Sequence, residues 1–242
     1  KGTVTNNGQI RFTTSYTPSI NVATGTLLNY TQTPLAGFTY RAAQTQIIYT
    51  ATELASYGML AGDQITAIKL NVKYNGIPAT RTYNNFSISY LNTAAVFSAY
   101  ANTTAIAGAF TTVYNNAAQP IVFGVNTLTL GSPITWDGVN NICIQYCYTL
   151  LGATAGSPQN DYIDVTQTTG RNSVLILGRL SASGATVPAA CSFVSPVAGD
   201  ITANGGTVAT PLINFLSQFR PNATFVLSRP YGKPKIVVQG DW

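Results

Sequence analysis

The residues best suited to binding a cation lie in the segment "GSPQNDYID", where Asn160, Asp161 and Asp164 supply side-chain oxygen atoms close together. A hard cation such as Ca²⁺ takes carboxylate, amide and carbonyl oxygens from loops, so these three residues are the candidate calcium ligands. The segment lacks the regular spacing of a calcium-binding loop, and the same residue types are typical of turns. The sequence therefore favours a turn, and it predicts no other metal or cofactor.

Catalytic residue types are scarce. The chain contains no histidine, so it cannot form a Ser-His-Asp or Cys-His system. It has only seven acidic residues, and Asp161 and Asp164 would point to opposite faces of a strand, which prevents them from acting as a carboxylate pair. Glycine-rich phosphate loops are absent from the sequence. We therefore expect a protein that is not an enzyme.

The three cysteines are Cys143, Cys147 and Cys191. On one strand, Cys143 and Cys147 would lie roughly 13 Å apart, which is too far for a disulfide. Any disulfide must therefore use Cys191, paired with either Cys147 or Cys143. A chain in which all three are small buried residues that never oxidise fits the sequence equally well.

A turn is predicted where Trp136 precedes Asp137 and Gly138, since Asp-Gly is a turn dipeptide. The strand "ICIQYCYT" follows, with alternating side chains. We expect the Trp136 ring to close one end of the fold and the segment to be structural. Four strand tyrosines share faces with Ile and Leu and are predicted to be core: Tyr74, Tyr90, Tyr146 and Tyr148.

The elements that position these residues are strands. In "ITAIKLNVKY" apolar residues alternate with Lys69, Asn71 and Lys73, which is the period of a half-buried antiparallel strand. The same period recurs along the chain, between clusters of Gly, Pro, Asn and Asp. Only "TATELASYGMLAGD" indicates a helix, near 52–57, with Thr52 as N-cap, Glu53 in the first turn and Gly58 as its end.

These patterns predict an all-β fold: an antiparallel, jelly-roll-like β-sandwich with one short helix. The stretch 180–211, rich in Gly, Ala and Thr, is the only candidate boundary between domains. Too few residues follow it to form a second core, so we interpret it as long loops within a single domain spanning 1–242.

Charged residues make up 8% of the chain, far below the quarter or so that is typical of globular proteins. The net charge is +5, but the basic residues are scattered, which argues against nucleic acid as a partner. Long apolar stretches that could insert in a membrane are absent from the sequence, and the N-terminus does not resemble a signal peptide. A neutral polar surface lacks charge repulsion, so self-association is expected.

Several segments together resemble a β-sandwich module of secreted and cell-surface proteins of Bacteroidetes, over roughly residues 44 to 148. They are "QTQIIYTATELASYGMLAGDQITAIKLNVKYNG", "YNNFSISYLNT", "FTTVYNN" and "VNTLTLGSPITWDGVNNICIQYCY". The later "LSRPYGKPKIVV" is similar to the closing strand of such modules. The resemblance implies an extracellular or cell-surface location, type IX secretion, and a role in adhesion or surface structures.

The sequence thus predicts a non-catalytic structural or adhesive module that associates with copies of itself or with other surface proteins, in a surface assembly or filament. The alternative is a carbohydrate-binding module of a larger secreted protein, because the chain has fourteen tyrosines, and exposed aromatic rings are a usual means of gripping glycans.

Overall fold

A computed structural model describes residues 19–29, 34–35, 42–74, 80–97, 105–149, 162–179 and 212–229. Strands dominate these residues. They are β1 (Ser19–Asn21), β2 (Leu27–Asn29), β3 (Ala42–Tyr49), β4 (Gln64–Tyr74), β5 (Thr80–Thr93), β6 (Thr111–Val122), β7 (Gly124–Thr135), β8 (Asn141–Thr149), β9 (Tyr162–Gln167), β10 (Val174–Arg179), β11 (Leu212–Ser217), β12 (Phe219–Pro221) and β13 (Thr224–Ser228). The helix α1 spans Ala51–Ser56.

The strands form two antiparallel sheets, which confirms the predicted all-β sandwich. In the first sheet the order is β1-β13-β4-β9-β12, with β2 paired to β9 and β7 paired to β4. In the second sheet the order is β11-β10-β3-β8-β5-β6. The predicted long loops at 180–211 lie outside the described residues.

The core lies between the sheets, where alternation places every second side chain. From β4 it receives Ile68, Leu70 and Val72, while Lys69 and Asn71 point to the outer face. Aromatic rings fill much of the remaining space in edge-to-face contacts, as between Tyr83 and Tyr148, whose ring centres are 4.8 Å apart.

Of the four tyrosines predicted to be core, Tyr146 and Tyr148 are buried. Tyr90 is partly buried and packs against the same core cluster. Tyr74 ends β4, and its side chain lies outside the described part. Burial raises the pKa of the Tyr146 hydroxyl, with a smaller contribution from Tyr49.

The strand β8 is buried on both faces, because the outer face of the second sheet is also covered. Cys143 packs there in a small second cluster with Ile48, Leu175, Leu177 and Phe97. Ile106 binds this face through its backbone, donating to and accepting from the Gln46 side chain at 2.7 and 3.0 Å. The interior position of β8 therefore requires neutral side chains on both of its faces.

The helix begins earlier than predicted, and Thr52 is not its N-cap. Thr50 is the N-cap: its hydroxyl accepts from Glu53 N, and Thr50 N donates to Glu53 Oε2 at 2.9 Å. This reciprocal pair needs an acid three positions after the cap, which Glu53 is for Thr50 but not for Thr52. Gly58 follows the C-cap with φ +90°, so the predicted end of the helix is confirmed.

Candidate functional site

The strands β6 and β7 carry no charged side chain. The sequence from Thr82 to Trp136 contains no Asp, Glu, Lys or Arg, and this stretch builds all of β6 and β7 and most of β5. Within the described residues β6 pairs only with β5, and β7 pairs only with β4, so each lies at the edge of its sheet. We call the exposed side chains of β6 and β7 the neutral edge.

Exposed residues of the neutral edge are small and polar or apolar. They are Thr111, Thr112, Asn115, Ala117, Ala118, Pro120 and Val122 of β6, and Val125, Thr127, Thr129, Gly131, Ser132 and Pro133 of β7. Pro120 and Pro133 fit edge strands, since a proline cannot donate to a ladder. Most natural edges are protected by charged side chains, above all lysine. Here the residues from Thr111 to Ala118 have neither a charge nor a proline.

The turn between β6 and β7 projects apolar side chains into solvent. Val122, Phe123 and Val125 are 41%, 65% and 60% exposed, and we call these three residues the apolar tip. The turn is held by Asn126, whose side chain accepts from Val122 N at 2.9 Å and donates to Val122 O at 2.8 Å. Gly124 has φ +97°, a conformation that favours glycine. Phe123 is therefore exposed on a well-braced turn.

Charges are concentrated elsewhere, and the largest group joins the two sheets. The guanidinium of Arg220, in β12, is buried and lies 4.6 Å from the centre of the Tyr49 ring in β3. It donates to Glu53 Oε2 at 3.0 Å and to the Tyr57 hydroxyl at 3.2 Å. Arg171 forms a second ion pair with the same carboxylate. This cluster is a structural link between β12 and the α1 region.

The electrostatics of Glu53 follow from these contacts. Burial by itself would raise the pKa of Glu53, but the charge and hydrogen bond of Arg220, the backbone of Thr50 and the charge of Arg171 lower it to about 2. Burial raises the pKa of Tyr49 despite the nearby Arg220. Glu53 is thus held ionised by its partners.

A separate ion pair lies just after the end of β13. Arg229 Nε is 3.1 Å from both carboxylate oxygens of Asp63, which is buried. The NH2 group of Arg229 donates to Gly58 O at 2.6 Å. Asp63 also accepts from Leu60 N at 2.9 Å. These contacts fix the loop between α1 and β4 against β13.

The predicted turn residues lie where β7 leads into β8. Trp136 is buried in the main core, and its Nε1 donates to Asn140 O at 2.8 Å. Asp137 Oδ1 accepts from Val139 N and Asn140 N at 2.9 and 2.8 Å. Slight burial opposes these bonds, but the bonds prevail and lower the pKa of Asp137. Gly138 has φ +81° and lies against Ala61.

Among the cysteines, Cys147 is disulfide-bonded, and Cys143 is a buried free thiol. The alternative pairing of Cys143 with Cys191 is therefore wrong, because Cys143 packs into the outer cluster of the second sheet. Cys191 itself lies outside the described residues. Burial raises the pKa of the Cys143 thiol to about 12.

Of the candidate calcium ligands, only Asp164 lies within the described residues. Its Oδ2 pairs with Lys73 Nζ at 3.4 Å. Asn160 and Asp161 lie outside the described part of the chain. In the ranges that the structure describes, no group of three or more His, Cys, Asp or Glu side chains could hold a metal ion.

The sequence by itself does not identify the neutral edge as a specific surface, although the long stretch without charged residues is visible in it. What the sequence did not reveal is that this stretch forms both strands on one side of the sandwich. None of the described helices is long and apolar enough to cross a membrane. Comparisons with protein-family models, with curated proteins and with solved structures gave no match for this chain.

Proposed function

We propose that this chain is a non-catalytic structural or adhesive module that acts outside the cell and associates with copies of itself through the neutral edge. The observation that carries the proposal is the absence of charge from Thr82 to Trp136, combined with the position of β6 and β7 at the edges of the two sheets. An exposed strand edge offers N–H and C=O groups to another strand.

A second copy is the partner that this surface fits best. Neutral residues on one copy can meet neutral residues on the next without desolvating an ion or placing like charges together. The apolar tip adds apolar surface that association could remove from water, at about 25 cal/mol per Å². Such an interface needs no complementary charge on the partner, so identical edges suit each other.

The remaining chemistry supports a non-catalytic role. The four described acidic residues all have structural partners: Glu53 with Arg220, Asp63 with Arg229, Asp164 with Lys73 and Asp137 with Asn140. A carboxylate held by such partners is poorly placed to exchange protons with a substrate.

The disulfide at Cys147 supports a location outside the cytosol, where such bonds form and persist. The same location is implied by the resemblance to Bacteroidetes surface modules, which stays a prediction together with type IX secretion. The carbohydrate-binding alternative calls for exposed aromatic rings. Among the large hydrophobic side chains that are exposed in the described residues, only Phe123 is aromatic, so that alternative has little support.

A lysine placed on β6 tests the proposal. Ala117→Lys introduces a positive charge at an exposed position of the neutral edge, and each interface would then bring like charges together. We expect the variant to remain monomeric at concentrations where the unchanged protein forms large assemblies, as measured by light scattering after size-exclusion chromatography.

Ala55→Lys is the matched control, since Ala55 is exposed in α1 and far from β6 in sequence. It adds the same charge and should leave assembly unchanged. Equal loss of assembly in both variants would show a general effect of net charge. Unimpaired assembly of Ala117→Lys would contradict a contact at β6.

A further inference from the structure

A cleft of about 340 Å³ opens on the outer face of the first sheet. It arises because β4 changes neighbours: Lys69 pairs with Thr224 of β13, whereas Val72 pairs with Ile163 of β9. Between these points the chain passes from β12 to β13 through Asn222 and Ala223. The cleft lies over this gap between strands.

The floor of the cleft is braced by hydrogen bonds. Asn222 uses both ends of its side-chain amide, donating to Gly25 O at 2.6 Å and accepting from the Thr166 hydroxyl at 2.8 Å. Its backbone N donates to Asp164 O at 2.8 Å. A Cβ at Gly25 would lie 2.3 Å from Val165 O, so this close approach requires glycine. The cleft is therefore pre-formed.

Other polar groups of the lining are available to a ligand. Within the described part of the chain, the Lys69 ammonium and the Asn71 amide make no hydrogen bond or ion pair. Asn21 accepts from the Thr224 hydroxyl at 2.7 Å, which leaves its NH₂ group to donate. These groups form a row, because Asn21 pairs with Thr224 and Thr224 pairs with Lys69 across three strands.

Lys69 and Asp164 are the charged residues of the described lining, and when Lys73, the partner of Asp164, is included, the charges at the cleft sum to +1. Asp164 is its only acidic residue, and that carboxylate already pairs with Lys73, which is outside the lining. Among the described residues, Lys69 is thus an ammonium without a partner, next to neutral donors. A single lysine can bind a carboxylate, whereas phosphate groups are usually held by several cations or a helix N-terminus.

We infer that this cleft binds a sugar acid, meaning a polyhydroxylated ring with one carboxylate. Lys69 binds the carboxylate, and the amides of Asn21 and Asn71 bind ring hydroxyls. The C–H face of the ring packs on the exposed side chain of Val125, which also lines the cleft. None of the described residues that line it is aromatic, so the proposal includes no ring stacking, and the charge is what selects this ligand over a neutral sugar. The site does not require the proposed self-association, and the two share only Val125 of the apolar tip.

Titration by NMR or calorimetry tests the inference, with glucuronate and galacturonate as probes. Glucose serves as the ring without a charge, and acetate as the charge without a ring. We expect a dissociation constant of about 1 mM for at least one uronate, which corresponds to roughly 4 kcal/mol. Glucose and acetate should bind at least tenfold more weakly.

Lys69→Gln should weaken uronate binding at least tenfold. The control is the double variant Lys73→Gln/Asp164→Asn, which removes the neighbouring ion pair together, leaves the net charge unchanged and should change binding less than twofold. Asn71→Ala should weaken binding without the loss of a charge. Near-UV circular dichroism checks that each variant keeps its fold.

A uronate oligosaccharide distinguishes the source of the ligand. Tighter binding of the oligosaccharide than of the monosaccharide would identify a polysaccharide as the partner, and equal binding would identify the free sugar acid. Absence of uronate binding at 20-fold above the expected constant, or equal binding by Lys69→Gln and the unchanged protein, would overturn the inference.

Discussion

At the scale of single residues, the contacts of Glu53 link the two sheets. Its carboxylate lies in α1, after a strand of the second sheet, and it binds Arg220 of the first sheet. Because Arg220 is only 1% exposed, its charge depends on this carboxylate and on the Tyr49 ring. Removing one partner of a buried ion pair leaves the other charge uncompensated.

Glu53→Gln should therefore lower the free energy of unfolding at pH 7 by about 3 kcal/mol. Arg171→Met removes the more exposed partner of the same carboxylate and leaves the pair with Arg220, so it should cost about 1 kcal/mol or less. Urea unfolding of both variants measures the difference. An equal loss of stability in the two variants would show that the buried pair of Glu53 and Arg220 adds nothing to the stability.

The same residue predicts a dependence on acid. The pKa of Glu53 is lowered from 4.5 to about 2 in the folded chain, so its contribution to stability is complete above pH 4.5 and is lost as the pH falls through 2. Unfolding followed from pH 5 to pH 2 should show a steeper loss of stability in the unchanged protein than in Glu53→Gln. Parallel curves would contradict the lowered pKa.

The cysteines give a chemical prediction. Cys143 is buried with a pKa of about 12, so iodoacetamide should not label the folded protein at pH 8. Denaturation without a reductant should expose a single thiol per chain, and denaturation with a reductant should expose all three cysteines of the sequence. Mass spectrometry counts the added groups. Labelling of Cys143 in the folded state would show that the outer face of the second sheet is open.

At the scale of elements, the turn into β8 depends on Gly138. Its φ of +81° disfavours other residues, and a Cβ there would lie 2.4 Å from the Ala61 Cβ. Gly170 has nearly the same φ, +79°, but a Cβ there would meet open space. Comparing substitutions at Gly138 and Gly170 therefore separates the effect of backbone strain from the effect of a steric clash.

Gly170→Ala should lower the free energy of unfolding by about 1 kcal/mol, through backbone strain alone. Gly138→Ala should cost a further ~1–3 kcal/mol, because the added methyl group forces Ala61 and its loop to move. Thermal unfolding of the two variants gives the comparison. Similar melting temperatures would show that the loop containing Ala61 can move to accommodate the methyl group without loss of stability.

The sequence predicts those elements whose patterns are local. Alternation in β4 predicts which of its side chains face the core, because each position depends only on the pleat. The predicted N-cap of α1, Thr52, lies two residues after the observed one, because Thr50 and Thr52 are both acceptable caps and only the bond to Glu53 distinguishes them. Boundaries of this kind depend on side-chain geometry that a pattern does not contain.

Features formed by segments that are distant in the sequence could not be predicted from local patterns. The outer face of β8 is covered in part by Phe97 and Ile106, which are far from Cys143 along the chain. The cleft near Lys69 exists because β13 and β9 meet β4 at different points, which depends on pairing register. Neither leaves a periodic signal, so neither could be predicted locally.

At the scale of the whole molecule, the uneven distribution of charge predicts how assembly responds to salt. The chain carries a net charge of +5, which makes separate copies repel each other, while the neutral edge has no ion pairs to screen. Raising the salt concentration from about 50 mM to 500 mM shortens the range of the repulsion. Assemblies should therefore persist or grow, as measured by sedimentation velocity, and dissociation in high salt would indicate an interface of ion pairs.

Electron cryomicroscopy of the purified protein at high concentration tests the central claim most directly. Self-association through the neutral edge predicts a regular repeat in which β6 of one copy lies at the contact with the next copy. Single, separate copies at every concentration, or a repeat whose contacts leave β6 and β7 in solvent, would contradict it.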